Sequence, residues 1–168
     1  MLFFPDMYFN KIWEITPELL IDHGIKGLCL DIDNTLTYDC DPLLPEESRD
    51  WIDSMSENEI KAIILSNNNK QRVSSFAKLC GLPYIYKAGK PSVKNKEKIC
   101  KMLGMPPDSI ALVGDQLFTD MLCARRCGFT ALLCGRMGRD VQPFVILKRI
   151  PEALFMPFIQ KKRRYRNE

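Results

Sequence analysis

Residues 25–35 read IKGLCLDIDNT, an apolar run that closes on two carboxylates, Asp31 and Asp33, two positions apart. A short continuous apolar run fits a strand buried on both faces, the pattern of a parallel sheet covered by helices. Side chains at i and i+2 lie on the same face of an extended chain, so the two acids would converge on one small volume at the strand's carboxyl end. They repel each other unless positive charge stands beside them.

Four more apolar runs follow: KAIILS (61–66), PYIYK (83–87), SIALVGD (109–115) and TALLC (130–134). The segments between them carry helical signals. PEESRDWIDSM (45–55) opens with Pro45 and acids, as helix N-termini do. Val73, Phe76, Ala77 and Cys80 keep the i, i+3, i+4, i+7 spacing; Phe118, Met121, Leu122 and Arg125 repeat it, with Arg125 the polar exception. Residues 90–103 place Ile99, Cys100 and Leu103 on one side. A helix over 16–23 precedes the first strand, and 149–160 forms a terminal helical or irregular segment. Strands alternating with helices predict an α/β fold, a Rossmann-like three-layer sandwich around a parallel sheet of about five strands. Ligands bind such sheets outside the carboxyl ends of the strands. Asp31 and Asp33 end the first strand, Ser66 the second and Asp115 the fourth.

The length of 168 residues suits a single domain over 1–160, with a strap and helix at 1–24 and a basic, disordered tail, KKRRYRNE, at 161–168. No apolar run reaches the roughly 18 residues that span a bilayer, and the N-terminus lacks the basic and small-residue marks of a signal peptide. Seven scattered cysteines, an odd number, fit reduced thiols in the cytoplasm rather than a disulfide framework. Cys123 and Cys127 read as one helix face, not a metal site. Net charge is +3, yet the tail's five basic residues and one acid contribute +4, which leaves the body at −1.

Four stretches fall at the strand ends in order: DIDNT, LSNN (65–68), GKP (89–91) and VGDQLFTD (113–120). With them the sequence resembles the haloacid-dehalogenase-like (HAD) phosphatase superfamily. GIKGLCLDIDNTL, SNNN, KAGKP, GDQLFTDMLCARRCG and a late RD…LKRI narrow the resemblance to subclass IIIA phosphatases of the YqeG type, which are related to phosphatidylglycerophosphate phosphatases. The gaps 34–60 and 67–89 are too short for a cap domain.

The resemblance implies a Mg²⁺-dependent phosphomonoester hydrolase working through an aspartyl-phosphate. Asp31 would be the nucleophile and Asp33 the general acid and base. Asp31, the Asp33 carbonyl and Asp115 would hold the metal, and Asp120 would orient Asp115 or a metal-bound water. Ser66 and the Asn67 N–H would bind phosphate. Lys90 would neutralise charge, with Lys87 the competing lysine. A hard divalent cation is what converging carboxylates and a dianionic ester both require.

The favoured substrate is phosphatidylglycerophosphate, reached by peripheral contact with an anionic membrane from the cytoplasmic side. Leu2, Phe3, Phe4, Met7, Tyr8, Phe9, Ile12 and Trp13 either lie in the membrane interface or pack on the sheet as a strap. FMPFIQKKRRYR (155–166) has the composition that anionic lipid attracts. The alternatives are a phosphatase of soluble or nucleic-acid-end phosphates and a non-catalytic regulatory module. Nucleic acid is disfavoured because the basic residues sit at one terminus without interleaved aromatics.

Overall fold

Six parallel strands form one sheet in a computed structural model that describes residues 2–164, with side chains through 160. They are β1 (Met7–Phe9), β2 (Gly27–Leu30), β3 (Lys61–Leu65), β4 (Tyr84–Ile85), β5 (Ile110–Gly114) and β6 (Thr130–Cys134). Across the sheet the order is β1-β6-β5-β2-β3-β4. From β2 the chain steps outward to β3 and β4, then returns to β5 on the other side of β2. The order therefore reverses between β2 and β5, and the crevice beyond their carboxyl ends is where this architecture binds ligands.

Period-two alternation sends neighbouring residues to opposite faces. Leu28, Leu30, Ile64, Ala111, Val113 and Leu132 enter one core with α1 (Pro17–Asp22), α2 (Glu46–Glu57) and α3 (Lys70–Cys80). Cys29, Ile63, Leu65, Ile110, Leu112 and Leu133 enter the other, against α4 (Lys96–Leu103) and α5 (Leu122–Cys127). The last two helices are α6 (Pro143–Ala153) and α7 (Met156–Arg164). A loop and α2 fill the connection between β2 and β3, with no inserted unit there.

Four expectations need correction. The sheet has a sixth strand, β1, which adds in parallel beside β6, pairing Met7 with Leu132 and Phe9 with Cys134. Three residues are too few to show an alternation in sequence. Most of the aromatic N-terminus consequently packs on the protein: Phe9 and Ile12 are buried, and the Phe3 ring lies 4.9 Å from both Phe118 and Phe155. Of that stretch, Leu2 and Trp13 are exposed.

The helix expected over 90–103 begins only at Lys96, because side-chain amides hold the preceding segment as a loop: Asn95 donates to the Ala88 carbonyl at 2.7 Å. The terminal helical segment starts earlier than expected, at Pro143. Of the tail expected to be disordered, residues 161–164 continue α7, and 165–168 lie outside the described residues.

Candidate active site

The ends of β2 and β5 each deliver one acid to the crevice. Asp31 follows β2 and is 7% exposed; Asp115 follows β5 and is 6% exposed. Asp120 reaches the same place because the chain after Gln116 makes a turn of π type, in which the N–H groups of Asp120 and Met121 both donate to the Gln116 carbonyl. Such turns recur at functional sites. Gly114 makes room for it. A Cβ at 114 would stand 2.4 Å from the Asp120 Cγ, closer than atoms pack. Carboxylate oxygens of Asp31, Asp115 and Asp120 all come within 4.8 Å of one another.

Lys90 enters this cluster from the loop after β4. Its Nζ donates to Asp31 Oδ1 at 2.7 Å and to Asp120 Oδ1 at 2.6 Å, with the side chain 3% exposed. The loop is clamped by the Asn67 amide, whose oxygen accepts the Lys90 N–H at 2.8 Å and whose nitrogen donates to the Lys90 carbonyl at 3.1 Å. Lys87, the competing lysine, is exposed. The structure thus brings Lys90 to Asp31. It also gives the Asn67 side chain a structural task. Ser66 is buried at the end of β3, where its hydroxyl accepts the Asn68 N–H at 3.2 Å.

Asp33 is not one of the three clustered carboxylates; it lines the same cleft and is half-buried. Oδ1 accepts from Arg72 at 2.8 Å and from the Cys40 N–H at 3.0 Å, and Oδ2 accepts from Asn68 at 2.5 Å. Asn69 caps α3 by accepting the Arg72 N–H at 3.0 Å, which fixes where that arginine starts its reach.

The electrostatics of the cluster are one-sided. Burial pushes the Asp31 carboxyl up to about 7; Lys90 offsets part of this and Asp120 adds to it. Burial works against the Lys90 ammonium, but Asp120 and Asp31 outweigh it and push its pKa up, so the lysine stays charged. Burial likewise raises Asp115 well above the ordinary carboxylate range, opposed by Arg149.

Three buried acids therefore share one ammonium and one guanidinium, while Asp115 Oδ1 is buried without a hydrogen-bond partner among the described residues. Hard oxygen donors, excess negative charge and an orphan carboxylate oxygen fit a divalent cation. Asp120, expected to orient Asp115 or a metal-bound water, lies within the cluster itself. It also has an orienting task, since its oxygens accept from Lys90 and from the Gln116 N–H.

Arg149 had no role in the sequence reading. From α6 it pairs with Asp115 Oδ2, donates to the Asp115 carbonyl at 2.8 Å, and contacts Asp140 at 3.1 Å and Glu152 at 2.8 Å. Asp140 also accepts from Asn34 at 2.9 Å, and Asp39 accepts the Val141 N–H at 2.7 Å. The segment after β6 is thereby pinned across the crevice. The available signal was LKRI, and spacing alone cannot tell which acid an arginine meets. The cleft that remains has a volume of about 200 Å³ and is lined by Asp31, Asp33, Ser66, Asn67 and Lys90 on one wall and by Phe144, Val145 and Lys148 on the other.

A parallel sheet whose switch point gathers these acids, this lysine and a serine–asparagine pair is that of a HAD-type phosphatase. Residues 1–137 match the family described as Mitochondrial PGP phosphatase, and the chain belongs to that family. It is 37% identical over 131 residues to the Bacillus subtilis (strain 168) protein named Probable phosphatase YqeG, covering 78% of this chain and 76% of that one. It is 25% identical over 157 residues to Phosphatidylglycerophosphate phosphatase 1, chloroplastic/mitochondrial, of Arabidopsis thaliana; this covers 86% of the chain but 44% of that longer protein. Among solved structures, the cobalt-bound deoxy-D-mannose-octulosonate 8-phosphate phosphatase (YrbI) of Haemophilus influenzae superimposes with a TM-score of 0.54. It is 15% identical, covering 67% of this chain and 69% of that one, a likeness of fold.

Proposed function

We propose that the chain hydrolyses a phosphate monoester through an aspartyl-phosphate on Asp31, with Mg²⁺ as the cation and phosphatidylglycerophosphate as the favoured substrate. The observation that carries the chemistry is the buried contact of Lys90 with Asp31 and Asp120 at 2.7 and 2.6 Å, in a cleft that reaches solvent. A buried carboxylate with one oxygen fixed on a lysine presents the other to an incoming phosphorus.

In the first step that oxygen bonds to phosphorus as the bond to the leaving oxygen breaks, and Asp33 gives the leaving oxygen a proton. In the second, Asp33 takes a proton from water, which attacks phosphorus and frees Asp31. To move the proton, Asp33 exchanges one of its donors, Arg72, Asn68 or the Cys40 N–H, for the reacting oxygen. Splitting one displacement into two lowers each barrier. Ser66, the Asn67 N–H and Lys90 hold the phosphoryl oxygens and are worth most as charge builds on them. Asp31, Asp115, Asp120 and the Asp33 carbonyl would hold Mg²⁺, which supplies the positive charge a dianionic ester needs to approach a carboxylate.

The lipid substrate is supported by the Arabidopsis relative's name, by the family description and by a cleft without a cap domain, which suits a phosphate carried on a large body. Phosphate release with and without Mg²⁺, across phosphatidylglycerophosphate, phosphosugars, nucleotides and p-nitrophenyl phosphate, tests the proposal. Lipid turnover well above the soluble esters is expected. Equal turnover of all of them removes the lipid reading, and no Mg²⁺-dependent release from any removes the phosphatase.

A further inference from the structure

Helices α6 and α7, with the turn at Leu154 and Phe155 between them, carry two interleaved stripes. Arg149, Glu152, Phe155 and Ile159 face the protein, where Arg149 holds Asp115 and Phe155 packs with Phe3, Phe4 and Phe118. On the other side Phe144, Leu147, Ile150, Leu154 and Phe158, at spacings of three, three, four and four, are each 64% to 70% exposed. An unbroken row of this kind on a well-anchored helix pair marks a surface built to be covered.

The charge that this end of the chain carries in sequence says by what. Residues 141–168 hold seven basic residues and two acids, so a chain of net +3 has a net −2 in its first 140 residues. Of these, the acid Glu152 and the basic Arg149 are paired with each other, which leaves six basic residues and one acid in the segment. A second copy would bring two basic segments together across an apolar row. An anionic phospholipid surface meets both features at once, the apolar stripe at the headgroup boundary and the cations among the phosphates. Among the described residues no helix is long and apolar enough to cross a membrane, so the row would lie on the surface. Phe144 and Lys148 belong to these helices and also line the cleft.

We propose that the exposed stripe of α6 and α7 is the docking surface for an anionic phospholipid bilayer, seating the cleft directly over the headgroups. This rests on the phosphatase reading of the cleft for its purpose, while the docking itself can be read without turnover.

The test is co-sedimentation of the full chain with phosphatidylcholine vesicles, with and without phosphatidylglycerol, for wild type and for Leu147→Asp/Leu154→Asp. Leu147→Asn/Leu154→Asn serves if the aspartates disturb folding as seen by circular dichroism. The wild type is expected to sediment with the anionic vesicles and not the neutral ones, less so at high salt. The double variant should bind about tenfold more weakly or worse, with p-nitrophenyl phosphate turnover unchanged. No wild-type binding at low salt, or equal binding by the variants, overturns the proposal. So does a wild-type dimer in light scattering that the double variant splits, since the stripe would then join two copies. Anionic-vesicle binding without any phosphate release keeps the docking surface and removes the phosphatase. Phosphate release without vesicle binding does the reverse.

Discussion

Asp31 and Asp115 end neighbouring strands, β2 and β5, yet each is met by a cation from a different part of the chain. Asp31 receives Lys90 from a loop inside the α/β unit, tied down by the amide of Asn67 at the end of β3. Asp115 receives Arg149 from α6, a helix after the last strand, which closes over the crevice from outside. The first half of the site is thus a product of the sheet, whereas the second depends on a covering segment. A site built this way couples the state of its outer helix to one of its cation-holding acids, because Arg149 and a metal would share the Asp115 carboxylate.

The largest effect should come from the sheet half. Asp31→Asn keeps shape and removes the proposed nucleophile, so turnover should fall by about 10⁴ or more, with the thermal midpoint held or raised. Activity within tenfold of wild type would falsify the nucleophile assignment. Lys90→Met should come next. It leaves buried carboxylates without their ammonium, a change that costs about 3–5 kcal/mol of stability, and it should nearly abolish turnover. Lys87→Met, at an exposed position, should stay within about 0.5 kcal/mol in urea unfolding. Comparable losses from the two lysines would break the picture of a buried cation on the sheet side.

Asp33→Asn should slow an alkyl phosphate by about 10²–10⁴ and p-nitrophenyl phosphate much less, since a good leaving group needs no proton. Equal slowing of both esters would argue that Asp33 positions the substrate instead. Arg149→Met probes the covering half. Breaking its buried pair should cost about 3 kcal/mol, and Mg²⁺ should raise the variant's melting temperature more than the wild type's. If Mg²⁺ stabilises both equally, Asp115 does not divide its charge between arginine and metal.

The smallest effect is a pH trend. With chelator present, the Asp31 carboxyl, pushed up to about 7 chiefly by burial, holds a proton in the folded chain that the unfolded chain, where the group has its ordinary value of 3.8, gives up. Stability from this group should therefore fall as pH rises from about 4 to about 7. Mg²⁺ should flatten the slope in a melting series, and a slope of the opposite sign would show that Lys90 alone keeps Asp31 ionised.

The contrast between the halves also explains what the sequence could reveal. Asp31, Asp33, Ser66, Asn67 and Asp115 can be singled out from sequence because each lies at or just beyond a strand end, and apolar runs locate strand ends; Lys90 and Asp120, farther past β4 and β5, come from the family resemblance instead. The five longer runs marked five of the six strands, although PYIYK pairs only at Tyr84 and Ile85. The three-residue β1 escaped because a strand that short has no period, and its aromatics look the same whether they meet protein or lipid. Arg149, Asp140, Asp39 and Arg72 act through contacts between 34 and 106 residues apart in sequence, as Arg149–Asp115, Arg72–Asp33, Gln142–Asp39 and Asn34–Asp140 do. No local pattern encodes such pairs. The role of the Asn67 side chain was hidden for a related reason: phosphate binding and a clamp on Lys90 call for the same residue at the same strand end.

The central claim is a covalent bond at Asp31, and it can be read directly. The enzyme is mixed with a phosphate monoester and Mg²⁺, quenched in acid during turnover and reduced with borohydride. An aspartyl-phosphate is converted to homoserine, which peptide mass spectrometry can locate. The expected result is homoserine at position 31, absent from Asp31→Asn and from samples with chelator. Homoserine at 33, or none anywhere while phosphate is being released, would contradict the account.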